Sequence, residues 1–249
     1  MYQISKLKVI AGVIHGISDI SDGDMSFNFQ ERGKTVNNMK VFLEKIGVNI
    51  NNCVSMNVEH SDKVVIVGGK DYKKGIFHWK SGIICDAMLT NKKNLYLFLK
   101  TADCAPVVLY DDTKNVLGLI HIGWKNVELK IIEKVIKTCK NVYGSACKNI
   151  QILIGPCARK QSYIKLNPSQ INNIRWKKYL HKININSYQV DFLGYFIDQL
   201  SDLGISKSNI YDCKIDTIKN KRFYSNYRYL VNKTEIQGRF ASVVGLIGQ

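Results

Sequence analysis

The sequence predicts an α+β (mixed α/β) fold, a central mixed β-sheet covered by helices and contained in a single domain. Three observations predict it. Residues 95–100 (LYLFLK), 106–110 (PVVLY) and 116–122 (VLGLIHI) are apolar runs of strand length bounded by turn residues, the pattern of strands buried on both faces. Over residues 127–143 the period changes: Ile131, Ile132, Val135, Ile136, Cys139 and Val142 share one face and Gly144 stops the helix. Such segments interleave irregularly along 249 residues, with no internal repeat and no linker, so residues 1–249 are expected to form one domain.

In chain order, Ser21, Asp22 and Gly23 ahead of residues 27–29 (FNF) signal an opening hairpin. Val36, Met39, Leu43 and Ile46 recur at helical spacing, with Thr35 able to cap the start and Gly47 the end. Residues 53–58 and 64–67 read as strands around a polar break that holds His60. Residues 68–81 are polar and glycine-bearing, a loop with an edge hairpin, and 82–90 (GIICDAMLT) lead to a turn at 91–94. After the central runs, 150–157 (IQILIGPC) form another buried strand ending on Gly155 and Pro156. Residues 168–182 read as a basic helix starting at Pro168. Residues 190–203 read as a helix with Phe192, Leu193, Phe196, Ile197, Leu200 and Leu203 inward and Gly204 as its stop. The tail carries RFYSNYR, TEIQGR and the apolar strand FASVVGLI.

Hydrophobic residues make up 45% and charged residues 22%, an ordinary globular balance. No apolar run approaches the roughly 18 residues of a membrane-spanning helix, and Gly12, His15 and Gly16 interrupt the N-terminal apolar patch. The expectation is a cytoplasmic protein with no membrane association. Seven cysteines, none in a CxxC pair, suit reduced thiols that mostly behave as small core hydrophobes. The net charge of +16 comes from lysines scattered among Asn and Ile rather than gathered in a stripe. Polymeric nucleic acid is therefore not the expected partner; a small anion such as phosphate suits the field better.

Cys104 and His121 stand at the edges of two successive apolar runs, 17 positions apart, each among small residues. Three readings stay open on spacing alone. In one, thiolate and imidazole bind a metal with His60 as third ligand, leaving zinc an open fourth position and a water of pKa roughly 7. In another, Cys104 is a nucleophile and His121 its base, as in an amide hydrolase. In the third they are ordinary core residues. Asp103 would point to the opposite face from Cys104, which suits a supporting role.

TADCAPVVLYD followed by HIGW, IGPC, CKID, FYSNYR and TEIQGR resembles the laccase-domain family, also called the polyphenol-oxidase-like purine nucleoside phosphorylases. GVIHGIS, FNF, VEHSDKV and CDAMLT resemble its earlier segments, so the likeness covers nearly the whole chain. The resemblance implies a zinc held by His60, Cys104 and His121, which would also be the catalytic residues. It implies phosphorolysis of purine nucleosides, methylthioadenosine included, and hydrolytic deamination of adenosine. Lys125, Arg228 and Arg239 are the cations expected to hold the nucleoside and phosphate substrates. Where the family reads HAGWRG this chain reads HIGWKN, so Lys125 offers a point charge in place of an arginine fork and Asn126 stands in place of a glycine. The family's glutamine before the first histidine is Val58. A base-deaminase HxE with PCxxC signature is absent, because Cys157 has no partner three residues on. Five histidines are too few for a blue-copper site plus a histidine-bound copper cluster, so laccase chemistry is not expected. A non-catalytic, metal-containing nucleotide-binding module is the remaining alternative. Cys157 and Cys213 read as packing residues near the site.

Overall fold

The computed structural model describes residues 1–248 except Thr234, the first residue of TEIQGR, so that residue and Gln249 lie outside the described residues. In its first half the elements are α1 (Ser5–Lys8), β1 (Val13–Ile17), α2 (Arg32–Glu44), β2 (Cys53–Asn57), β3 (Val64–Ile66), β4 (Ile83–Ile84), β5 (Ala87–Thr90), β6 (Tyr96–Thr101), β7 (Ala105–Asp111) and β8 (Val116–Ile122). The second half adds α3 (Trp124–Glu128), α4 (Ile131–Thr138), β9 (Ile150–Ile154), β10 (Ile164–Leu166), β11 (Leu180–Lys182), β12 (Ser187–Val190), α5 (Phe192–Asp202), β13 (Ile210–Asp212), α6 (Asn226–Val231) and β14 (Phe240–Leu246).

The strands form two large mixed sheets, ordered β1-β14-β6-β2-β4 and β13-β9-β7-β8-β5-β3, with a small antiparallel sheet β10-β12-β11 beside them. Side-chain alternation stacks these layers. Leu97 and Leu99 of β6 meet Val108 and Tyr110 of β7 in a core between the two sheets. On the other face of β6, Tyr96 and Phe98 pack against Met39 and Phe42 of α2. On the other face of β7, Val107 and Leu109 pack against Ile132 and Val135 of α4 and Phe196 of α5. The result is an α-β-β-α sandwich, the expected α+β fold with its mixed sheet split in two.

Four local expectations change. The opening hairpin is absent: β1 pairs antiparallel with β14, Val13 opposite Leu246, and the turn signals at residues 20–22 serve a short helical turn capped by Asp19. The helix over 127–143 begins earlier, at Trp124. It breaks where Lys130 takes a left-handed φ of 57°, then resumes as α4 and ends in a wide turn at Cys139–Tyr143. Residues 168–182 form no long helix. Ile171 and Ile174 are exposed while Pro168, Gln170 and Trp176 are buried, and the Asn173 side chain accepts from the Arg175 N–H to make a single turn before β11. Without an apolar stripe the segment has no face to bury as a helix. Residues 68–81 contain two short helical turns, Gly69–Asp71 and Trp79–Ser81, in place of an edge hairpin. The helix expected over 190–203 is α5, capped by Asp191, whose carboxylate accepts from the Gly194 N–H.

Candidate metal centre

Strand register gathers the site. β2 and β6 run parallel, so the segments that follow them leave the first sheet on the same side. In the second sheet Ala105 sits opposite Ile122 and Pro106 opposite His121, so Cys104, just before β7, lies beside the end of β8. His60 arrives on the loop after β2. The donor atoms of His60, Cys104 and His121 all lie within 4.8 Å of one another, with Cys104 Sγ 3.9 Å from His60 Nε2. A tetrahedral zinc with bonds of about 2.3 Å to sulfur and about 2.0 Å to nitrogen spaces such atoms about 3.5 Å apart, so the donor set fits an ion of that kind. Gly123 completes the cradle: a Cβ there would stand 2.8 Å from Cys104 Sγ.

Asp86 is the residue that builds this geometry; it lies within the family-like CDAMLT segment, but nothing there singled it out. It is fully buried at the start of β5 and accepts five hydrogen bonds. Four come from the His60 loop: the backbone N–H groups of Glu59 (3.3 Å), His60 (3.1 Å) and Ser61 (2.8 Å) and the Ser61 hydroxyl (2.8 Å). They hold His60 in a left-handed conformation, φ 57°. The fifth comes from His121 Nδ1 at 2.7 Å, which leaves Nε2 of that ring as its donor atom. Burial would raise the Asp86 carboxyl, but His121 and the Ser61 bonds outweigh it and hold it well below the usual range. The signal in the sequence was a carboxylate inside an otherwise apolar strand.

Asn126 supplies a second tie. It is buried, its side-chain oxygen accepts from the Gly123 N–H at 2.9 Å, and its amide donates to the Ser61 carbonyl at 2.7 Å. The departure from the family's glycine therefore links the turn after His121 to the His60 loop. Asp103 has the supporting role expected of it, accepting from the Thr217 hydroxyl at 2.7 Å and the Tyr227 N–H at 2.6 Å.

Burial disfavours an ionised Cys104 thiol, yet His121 and His60 beside it outweigh burial and pull its pKa down. His121 is correspondingly pushed up, against burial, by Cys104 and Asp86. Without a metal the two therefore sit as a thiolate and an imidazolium; the thiolate is what a soft cation requires of a cysteine, while His121 must give up its Nε2 proton before that nitrogen can bind one.

The three donors border a cleft of about 1010 Å³ whose wall includes Phe27, Trp124, Tyr163 and Arg239. Of the expected cations, Arg239 is there, its guanidinium 5.0 Å above Phe29 and donating to the Gly238 carbonyl. Arg228 is not brought to the cleft. Its donors go to the Thr217 carbonyl at 2.7 Å, the Phe223 carbonyl at 2.9 Å and Glu235 at 3.1 Å, binding the tail together. Lys125 is exposed on α3, its ammonium 5.6 Å over the Trp124 ring and outside the cleft lining. Cys157 is buried in the helix-side core and Cys213 sits 3.9 Å from an Arg159 nitrogen, so neither borders the cleft. No helix among the described residues is long and apolar enough to cross a membrane.

Known proteins share this architecture. A purine nucleoside phosphorylase of Clostridium acetobutylicum is 42% identical over 71 residues, 28% of this chain and 30% of that protein, so the chain spans under a third of its length. The purine nucleoside phosphorylase YlmD of Bacillus subtilis is 25% identical over 217 residues, 85% of this chain and 77% of that one. The crystal structure of the Bacillus licheniformis hypothetical protein YfiH superposes with a TM-score of 0.85 at 23% identity, covering 94% of this chain and 92% of that one, which fixes the fold. The family described as multi-copper polyphenol oxidoreductase laccase matches residues 12–247, nearly the whole sequence, and the chain belongs to that family.

Proposed function

We propose that this chain is a zinc-dependent purine nucleoside enzyme, phosphorolysing adenosine, inosine, guanosine and methylthioadenosine and hydrolytically deaminating adenosine. The observation that carries the reading is the His60–Cys104–His121 donor cluster at the edge of a cleft with aromatic walls. The names of the Clostridium and Bacillus relatives support the substrate class. Zinc, when bound by His60, Cys104 and His121, supplies a Lewis acid at neutral pH.

The chain's own groups do the rest. Phe27, Trp124 and Tyr163 offer ring faces on which a purine can stack. Asp86 keeps the Nδ1 proton on His121, so that ring presents Nε2 inward throughout. Arg239 supplies positive charge to orthophosphate as the C1′–N9 bond breaks and the C1′–O bond to phosphate forms. Among the described residues one three-donor cluster of this kind is found, which supports a single-metal centre over the several coppers of a laccase. Cytoplasmic residence is part of the same proposal, since nucleosides, phosphate and reduced thiols meet there.

Mass-spectrometric analysis of products from a nucleoside panel, with zinc-loaded protein in phosphate buffer, tests the proposal. Free purine base with ribose 1-phosphate, and inosine from adenosine, are the expected products. Unchanged nucleosides would refute it. The lowered Cys104 thiol favours one other reading, a Cys–His amide hydrolase. Alkylation separates the two: a metal-held Cys104 is protected until a chelator is added, whereas a free catalytic thiolate reacts at once.

A further inference from the structure

With Arg228 spent on carbonyls and Lys125 outside the cleft, only Arg239 remains of the cations expected to meet an anion. Two lysines that no motif marked stand in the cleft wall: Lys100 in β6 and Lys165 in β10. Among the described residues neither ammonium has a hydrogen-bond or ion-pair partner; both rest on aromatic rings. Lys100 Nζ is 5.3 Å from the Phe27 centroid, and Lys165 Nζ is 4.8 Å from that of Trp124 and 5.5 Å from that of Tyr163.

The sheet sets their placement. Lys100 lies opposite Ala241 in the β6–β14 register, so Arg239, two residues earlier, is its diagonal neighbour on the same face. Lys165 comes from the small sheet and lies near enough to Cys104 to feel its charge. Burial pulls both ammonium groups down, Lys100 to about 8, as expected of cations that have lost water without gaining a counter-ion. Asp24 is the one carboxylate acting on Lys100, its Oδ1 already engaged by the N–H groups of Ser26 and Arg239, while Arg239 also feels Cys104 and Asp103. Three cationic side chains, Lys100, Lys165 and Arg239, thus line one cleft beside the metal centre, the two ammonium groups without an ion-pair partner among the described residues.

The geometry points to a distinct anion sub-site in which Lys100 and Lys165, together with Arg239, hold a phosphate-type oxyanion within the cleft. This deepens the nucleoside reading and rests on it for the choice of ligand: the oxyanion is either inorganic phosphate or the ester phosphate of a nucleoside monophosphate.

Separate calorimetric titrations of the full-length, zinc-loaded protein with inorganic phosphate, inosine and inosine 5′-monophosphate test it without turnover. Lys100→Met and Lys165→Met are each expected to weaken phosphate binding about tenfold, the effect of losing one charge-assisted contact. The double variant should abolish it, while inosine affinity, metal content and thermal midpoint stay at wild-type values. Lys100→Arg, which keeps the charge, should retain binding and so exclude a folding defect. If the monophosphate binds far more tightly than inosine, and the same substitutions erase that advantage, the ester phosphate is the occupant. If the two bind alike, it is inorganic phosphate. Undiminished phosphate binding by the double variant overturns the sub-site even if nucleosides are cleaved. Lysine-dependent phosphate binding upholds it even if none is cleaved.

Discussion

Replacing Asp86 by Asn changes one oxygen to an amino group inside a carboxylate that takes five hydrogen bonds and has no access to water. Either orientation of the amide is costly. With its NH2 toward Glu59 and Ser61 it meets two backbone N–H donors. With its NH2 toward His60 and His121 it meets one backbone donor and forces the His121 proton onto Nε2, the atom needed for a metal. A lost charge-assisted bond costs about 1.5–3 kcal/mol, and a stranded buried donor about 1–3 kcal/mol. We therefore expect the metal-free variant to be about 2–4 kcal/mol less stable by denaturant unfolding. Zinc affinity, read by chelator competition, should fall about 10–100-fold, the usual effect of removing a histidine's orienting partner. A variant with wild-type midpoint and a zinc Kd within twofold of wild type would refute the assignment of Asp86 as the organiser of the site.

Gly123→Ala should lower zinc affinity and activity without a matching stability loss, because the new methyl meets Cys104 Sγ at 2.8 Å while the backbone, at φ −113°, accepts any residue; equal metal binding would refute the cradle. Arg228→Met should cost about 2–4 kcal/mol of stability, by stranding carbonyls of Thr217 and Phe223, and leave the KM for phosphate unchanged. A selective rise in that KM would restore Arg228 to the substrate. Burial raises the Asp19 carboxyl, but the N-terminal ammonium, Ser21 and Arg222 outweigh it and depress its pKa. A depressed folded pKa means stability is complete above about pH 4 and fades as pH falls below that. The unfolding difference between wild type and Asp19→Asn should thus be constant near neutrality and shrink toward pH 3; a difference independent of pH would contradict this.

Local pattern carried most of the second sheet. β7, β8 and β9 are apolar runs with turn residues at both ends, and covered strands leave that mark whatever their partners. The β1–β14 pairing left none, because it joins residues more than two hundred positions apart and register depends on the whole chain between them. The basic helix expected from Pro168 over 168–182 failed for the opposite reason: the segment has no apolar stripe, and Ile171 and Ile174 stay exposed. At the site, Cys104 and His121 were legible as edge residues of successive strands. His60 was a candidate third ligand that spacing alone did not single out, since a histidine in a polar loop has no distinguishing spacing; the family resemblance chose it. Asp86, Lys100 and Lys165 became visible only once strand register and burial were known. A charged residue within an apolar strand was the one trace that two of them left in the sequence.

Phosphorus-31 NMR of zinc-loaded protein incubated with inosine and orthophosphate tests the central claim most directly. A growing ribose 1-phosphate resonance that disappears in Cys104→Ala is the predicted result. Orthophosphate left unchanged by the zinc-loaded wild type, or a resonance that persists without Cys104, would contradict it.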